Sequence, residues 1–175
     1  MDNYRHLYQE ILNIYHECKD KPWYEWLEYK SIFNGNSTQS ITGLFQIKGT
    51  EHKCVFKMSN SMNNVIYHEY TVSQDMNTLD KYCNNFCRSI GIIECDIDIN
   101  NKSRNPFHID NKNKKGIVKR SVILYEYING KSLSHIIRST SIKDSIIISI
   151  LKQVLLSLCI AQREYDFTHY DLHTN

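Results

Sequence analysis

The sequence lacks an excess of either charge, a long unbroken apolar run and a dense cysteine framework. Lysine and arginine number 21 against 19 acidic residues, a net charge of +2, so no global field demands a nucleic acid or an anionic membrane as partner. The longest apolar stretch, 146–160, is interrupted by polar residues and falls short of the roughly 18 uncharged residues typical of a membrane span. The charged first ten residues are unlike a secretory signal. We expect a soluble, intracellular protein that binds neither membrane nor a specific nucleic acid.

Alanine is almost missing, and the cysteines are scattered. Ala161 is the single alanine, a bias from which no function follows. Of six cysteines only Cys83 and Cys87 lie close together, which differs from the framework of a small secreted domain. We therefore expect reduced thiols in one globular domain of 175 residues.

Apolar periodicity indicates alternating helical and extended segments. It predicts helices over 4–29, 61–80 and 133–138, a long helix starting near residue 141, and strands over 44–48, 53–58, 86–95 and 118–128. The aromatic residues Trp23, Tyr24 and Trp26 are expected to pack as a plug. The polar stretch 96–116 is predicted to be an exposed loop whose lysines are solvated.

The long helix predicted from near residue 141 has more apolar surface than the rest of the chain is expected to bury. Ser141 followed by Asp144 is typical of a capping box at its start. Residues 146–160 are apolar nearly all round the helix, so we expect burial on most sides. Since only fifteen residues follow Ile160, another segment or another protein should cover it.

The segment His169-Tyr170-Asp171-Leu172-His173 follows that helix. It resembles the catalytic loop of the protein-kinase-like superfamily, whose pattern is H-x-D-L-x-x-x-N. The resemblance implies that Asp171 orients the attacking hydroxyl and accepts its proton, and that His173 stands near the transferred phosphate in place of the usual lysine.

Upstream residues extend the resemblance in the expected order. Lys57 ends the apolar run 54–57 like the lysine of the V-A-I-K motif, which implies a contact with nucleotide phosphates. Glu69, twelve residues later, resembles the helix-C glutamate that holds this lysine. Gly43 corresponds to the last glycine of the phosphate-covering loop, with Thr38 and Ser40 where the first two glycines would stand.

The segment 125–130 resembles the hinge that binds adenine. The resemblance implies that Tyr125 is the gatekeeper. It also implies that the carbonyl of Glu126 and both backbone groups of Ile128 face the adenine edge.

The resemblance implies an α+β protein-kinase-like fold. A five-stranded antiparallel small lobe with helix C would be joined to the first helices of an incomplete large lobe. The expected divisions are an N-terminal helical extension at 1–35, the small lobe at 36–128, and the hinge and start of the large lobe at 129–175. The missing large-lobe segment, or another protein, would then cover the 146–160 helix.

The implied activity is ATP-dependent phosphoryl transfer to protein Ser/Thr hydroxyls, with ATP and Mg²⁺ as cofactors. The metal-binding Asn would fall at position 176 and the D-F-G segment later, so the 175 residues alone are expected to be inactive. The sequence as a whole is similar to kinase-like proteins of large DNA viruses. This resemblance implies that the protein is located in the host-cell cytoplasm.

Three alternatives stay open. The H-x-D-L-H form also resembles aminoglycoside and other small-molecule kinases. The chain could instead be a pseudokinase remnant that acts as a binding module. A metal site built on His169 and His173 with His108 or His135 is disfavoured because no paired ligand spacing supports it, and no metal-binding residue is assigned.

Overall fold

The described part of the chain forms an antiparallel sheet of five strands with helices before, between and after them. The computed structural model describes residues 2–33, 40–59, 63–101, 104–107, 116–139, 142–170 and 172. The helices are Asp2–Cys18 (α1), Trp23–Trp26 (α2), Asn63–Thr78 (α3), Leu133–Ser139 (α4) and Asp144–Tyr165 (α5). The strands are Leu27–Ile32 (β1), Ser40–Ile47 (β2), Lys53–Ser59 (β3), Ser89–Asp98 (β4) and Ile117–Glu126 (β5). The predicted α+β class and five-stranded antiparallel sheet are confirmed.

The strands lie in the order β1-β2-β3-β5-β4, which places β3 at the centre of the sheet. The predicted hairpin is confirmed, because β2 and β3 pair from Ser40 with Ser59 to Gln46 with Lys53. Gly49 in its turn has a φ of +76°, a conformation that favours glycine. The strand predicted over 86–95 begins at Ser89 and continues to Asp98.

Strand β1 corrects the sequence prediction of helical structure up to residue 29. It pairs with β2 from Leu27 opposite Ile47 to Ile32 opposite Gly43, so part of the expected helical extension belongs to the sheet. The partner strand supplies the backbone hydrogen bonds that make this segment a strand. Such pairing is non-local and leaves little trace in the spacing of apolar side chains.

The chain divides into two compact units. One contains Met1–Ser73 and Arg88–Tyr127, and the other contains Gln74–Cys87 and Ile128–Asn175. The first unit holds the sheet and its aromatic core, whose members include Trp23, Phe45, Phe56 and Phe107. The ring centroids of Phe45 and Phe56 lie 4.5 Å apart.

Two sequence predictions can be compared with the aromatic residues of this core. Trp23 and Trp26 are buried, as expected for a packing plug. Phe107 is also buried, with its ring centroid 5.3 Å from that of Phe56, although the sequence predicts an exposed loop there. A lone apolar residue in a polar segment gives no periodic signal of burial.

The N-terminal helices cover the outer edge of β4. Three side chains donate hydrogen bonds to carbonyl oxygens there: Tyr8 to Ser89 (3.0 Å), Tyr15 to Ile92 (3.0 Å) and Trp23 to Asp96 (3.1 Å). The Tyr15 hydroxyl also accepts a bond from the backbone N–H of Ile92 at 3.3 Å. These bonds satisfy backbone groups that a sheet edge otherwise leaves unpaired.

The second unit has a small core around Met76, Leu79 and Ala161. Helix α5 in this unit begins at Asp144, three residues after the predicted start, with Lys143 at the N-cap position and no side-chain cap. Ser141, the predicted cap residue, lies outside the described residues. The described part of the chain leaves much of this helix exposed, as the few residues after Ile160 led us to expect: Leu155 is 64% exposed and Leu156 is 59% exposed. The expected cover by another segment or another protein stays a prediction.

Helix α5 is also the longest apolar helix among the described residues. With 22 residues, it is long and apolar enough to cross a membrane by length and composition alone. Core helices of soluble proteins pass the same test, although only 11% of the most apolar part of α5 is buried here. The expectation of no membrane partner therefore stays a prediction.

Candidate functional site

Lys57 lies on the central strand of the sheet and on the side away from the aromatic core. Along β3, Phe56 and Met58 are buried, whereas the Lys57 side chain is 32% exposed, because successive side chains of a strand point to opposite faces. Lys57 stands opposite Thr42 on β2 and Ile123 on β5. A cation is thus fixed on a rigid, central element with its ammonium group in reach of solvent.

Glu69 reaches Lys57 from helix α3. The Nζ of Lys57 donates to the Oε1 of Glu69 at 2.8 Å, and the Glu69 side chain is 31% exposed. The two residues that the resemblance pairs are therefore in contact. Ion pairs exposed to this degree add only about 0–1 kcal/mol to stability because water screens them. The contact matters for the position of the ammonium group more than for holding the fold.

Tyr125 contacts the same carboxylate. Its hydroxyl donates to the Oε1 of Glu69 at 2.9 Å from strand β5. Nothing in the sequence pattern indicated this bond, since the resemblance assigns Tyr125 a gatekeeper role through its size. One carboxylate oxygen thus accepts bonds from two residues of neighbouring strands.

A row of half-buried side chains runs across three strands beside Lys57. Leu44 on β2 stands opposite Val55 on β3, and Val55 stands opposite Tyr125 on β5. Val55 is two positions from Lys57 on the same strand and therefore shares its face. Leu44 was missed by sequence reasoning because its place depends on the β2–β3 register. The row gives the lysine an apolar neighbourhood.

Gly43 lies within strand β2 and not in a loop, which corrects its sequence placement. It stands opposite Ile32 and Phe56. A methyl group on Gly43 would overlap the carbonyl oxygen of Ser31 and lie 2.6 Å from the Phe56 ring, so close packing requires the glycine. Ser40 is also part of β2. The connection between β1 and β2 comprises residues 33–39, of which 34–39, including Thr38, lie outside the described residues.

Glu126 is the last residue of strand β5, and its carboxylate is hydrogen-bonded to Arg88. Its carboxylate accepts the backbone N–H of Arg88 at 2.8 Å and lies 3.4 Å from the Arg88 guanidinium group. The backbone N–H of Glu126 donates to the Arg88 carbonyl at 2.9 Å. These bonds fix the end of the strand. The proposed contact of the Glu126 carbonyl with adenine stays a prediction.

Ile128 lies at a tight turn after strand β5. Its carbonyl accepts the N–H of Gly130 at 2.9 Å. The side chain is 60% exposed. The contact of the Ile128 backbone groups with adenine stays a prediction.

Asp171 and His173 lie outside the described residues, so their expected roles stay predictions. His108 also lies outside them. Within the described part of the chain, no group of three or more His, Cys, Asp or Glu side chains is placed to hold a metal ion.

Two buried thiols in the first unit are chemically inert at neutral pH. Burial raises the pKa of the Cys54 thiol to about 12. Burial, with the neighbouring charges of Glu94 and Asp96, raises the pKa of Cys95 well above its usual value. Both thiols stay protonated, and a protonated thiol is neither a good nucleophile nor a metal ligand.

Comparisons with known proteins point to viral relatives. No family model matches the chain. It is 31% identical over 154 residues to uncharacterized protein 038R of Invertebrate iridescent virus 3, which covers 83% of this chain and 27% of that protein. It is 25% identical over 153 residues to probable kinase 098L of the same virus, which covers 87% of this chain and 25% of that protein. The chain spans about a quarter of the length of these relatives, and its similarity to a kinase is distant.

Proposed function

We propose that this chain forms the nucleotide-binding lobe of a kinase, in which Lys57 contacts the phosphates of ATP and Glu69 holds Lys57. The observation that carries the proposal is the 2.8 Å contact between these two side chains. The distant similarity to a viral probable kinase supports the same function.

The chemistry of the site fits a nucleotide. An ammonium group on a central strand can offset phosphate charge, and a carboxylate bonded to it limits the directions in which it points. Leu44 and Val55 offer an apolar surface next to this charge, which suits the flat face of a base. ATP would supply the phosphoryl group. Mg²⁺ would offset charge on the phosphates, and the resemblance assigns its ligands to position 176 and later.

Phosphoryl transfer to Ser/Thr hydroxyls of proteins is the proposed activity of the whole protein. Asp171 would orient the hydroxyl and accept its proton, and His173 would stand near the transferred phosphate. The host-cell cytoplasm is the proposed setting.

The test is nucleotide binding by the chain itself, followed through its unfolding in urea. ATP with Mg²⁺ at about 100 times its Kd should add about 2.7 kcal/mol to the free energy of unfolding. Trp23 and Trp26 report this transition, because both are buried in the unit that contains Lys57.

Lys57→Ala should abolish the ATP-dependent stabilisation. Lys119→Ala is the matched control, since Lys119 is a 74% exposed lysine on a neighbouring strand of the same sheet. Loss of the effect in the Lys57 variant alone supports the proposal. Absence of stabilisation in the unmodified chain, or equal stabilisation in both variants, would refute it.

A further inference from the structure

The Oε1 atom of Glu69 accepts hydrogen bonds from two strands at once. The ammonium group of Lys57 on β3 lies 2.8 Å away, and the hydroxyl of Tyr125 on β5 lies 2.9 Å away. Val55 stands opposite Tyr125, and Ile123 stands opposite Lys57, so the two donors project from neighbouring strands two positions apart in register. Helix α3 is therefore tied to the sheet at this point by a three-membered cluster.

The lysine alone is a poor anchor for the carboxylate. Lysine and glutamate have flexible side chains, and ordering both in water offsets most of the attraction between them. Tyrosine has only two side-chain torsions and a rigid ring, so its hydroxyl restricts Glu69 at a smaller cost in entropy. A hydrogen bond to a charged acceptor is also stronger than one between neutral groups. Tyr125 is thus the stiffer of the two ties.

We propose that Tyr125 is a positioning residue: its hydroxyl holds Glu69 so that Lys57 is directed towards the nucleotide phosphates. This inference rests on the proposed function and extends it. The gatekeeper role expected from the sequence depends on the size of the side chain, whereas the positioning role depends on one oxygen atom. Tyr125→Phe separates the two, because it keeps the ring and removes only the hydroxyl.

The chain provides a matched control for this substitution. Tyr67 on α3 donates its hydroxyl to the Oε1 of Glu94 on β4, also at 2.9 Å. It is a tyrosine–carboxylate bond of the same length that also links α3 to the sheet, at a more exposed position, and it does not involve Glu69 or Lys57. Tyr67→Phe therefore reports what the loss of such a bond does to the fold alone.

The first measurement needs no nucleotide. In urea unfolding, the effects of Tyr125→Phe and Glu69→Ala should be non-additive by about three- to tenfold in the folding constant, because each substitution removes the same bond. Alanine is used because glutamine would keep an acceptor oxygen for the Tyr125 hydroxyl. Tyr67→Phe and Glu69→Ala should be additive, since they affect bonds to different carboxylates. Additive effects of Tyr125→Phe and Glu69→Ala would overturn the proposal at its structural step.

The second measurement is the affinity of the chain for ATP. Tyr125→Phe should weaken it about five- to tenfold, which corresponds to roughly one hydrogen bond. Tyr67→Phe should leave the affinity unchanged, and Tyr125→Phe should have no further effect in a Glu69→Ala background, where the acceptor is gone. Unchanged affinity in Tyr125→Phe, with binding lost in Lys57→Ala, would overturn the positioning role and leave the proposed function standing. An unmodified chain that binds no ATP would overturn both.

Discussion

Gly91 offers a sharp test of how the N-terminal helix is seated on strand β4. A methyl group at Gly91 would lie 2.5 Å from ring carbon Cε1 of Tyr15 and closer still to the ring carbon Cζ and the hydroxyl oxygen. Tyr15 is only 6% exposed and packs in the core. Gly91→Ala should therefore displace this ring.

The expected loss follows from two contributions. Overpacking in a tight core costs about 1–3 kcal/mol. Displacing the hydroxyl also breaks its two bonds to the backbone of Ile92, at about 0.5–1.5 kcal/mol each. Together they lower the free energy of unfolding by about 2–6 kcal/mol. Urea unfolding followed by tryptophan fluorescence measures this, because both tryptophans are buried in the same unit.

The effect of Gly91→Ala on the free energy of unfolding should change sign when the Tyr15 ring is removed. In a Tyr15→Ala background the methyl group meets no ring, and replacing glycine by alanine inside a strand gains about 0.5–1 kcal/mol. Gly91→Ala should then be neutral or stabilising. An equal loss in both backgrounds would refute the reasoning, since the cost could not come from Tyr15.

Two further outcomes are expected. Because burial raises the pKa of Cys54 to about 12, the unfolded chain loses this proton at a lower pH than the folded chain, so the free energy of unfolding should fall as the pH rises from about 9 towards 12. In urea titrations, Cys54→Ala should make this dependence of the free energy of unfolding on pH less steep, by up to about 1.4 kcal/mol per pH unit. Cys159→Ala, at an exposed thiol, should leave it unchanged. Equal pH dependence in the two variants would contradict the raised pKa of Cys54. Leu155 and Leu156 are exposed on α5, so the chain should bind an apolar fluorescent dye, and replacing both by Gln should lower the dye signal without moving the tryptophan-detected unfolding midpoint. A dye signal that does not change would place the apolar surface elsewhere.

The sequence predicts most where a signal is local. The β2–β3 hairpin has turn residues between two apolar runs, and α3 follows helical spacing, so β3 and α3 were predicted close to their observed bounds. Strand β2 begins at Ser40, four residues before its predicted start. Lys57 and Glu69 were paired through the resemblance to the protein-kinase-like superfamily, since each residue alone would be read as a solvated charge. Their contact at 2.8 Å then follows from the packing of α3 on the sheet.

The remaining features depend on contacts between distant segments. Strand β1 is defined by its pairing with β2, and Gly43 is required by a close approach to Ser31 that no local pattern encodes. The hydroxyl of Tyr125 becomes part of the site only because β5 lies beside β3. The exposure of helix α5 was predicted from its apolar composition and from the few residues that follow it, but composition does not say which segment or protein would cover it.

The N-terminal helices cover the outer edge of β4, and their position in the sequence affects how the chain folds during synthesis. Helix α1 at Asp2–Cys18 is made before strand β4 at Ser89–Asp98, because translation proceeds from the N-terminus. Tyr8, Tyr15 and Trp23 have thus left the ribosome when the strand they cover emerges. The nascent sheet can be capped as soon as it assembles, which limits the time in which neighbouring nascent chains could exchange strands with it.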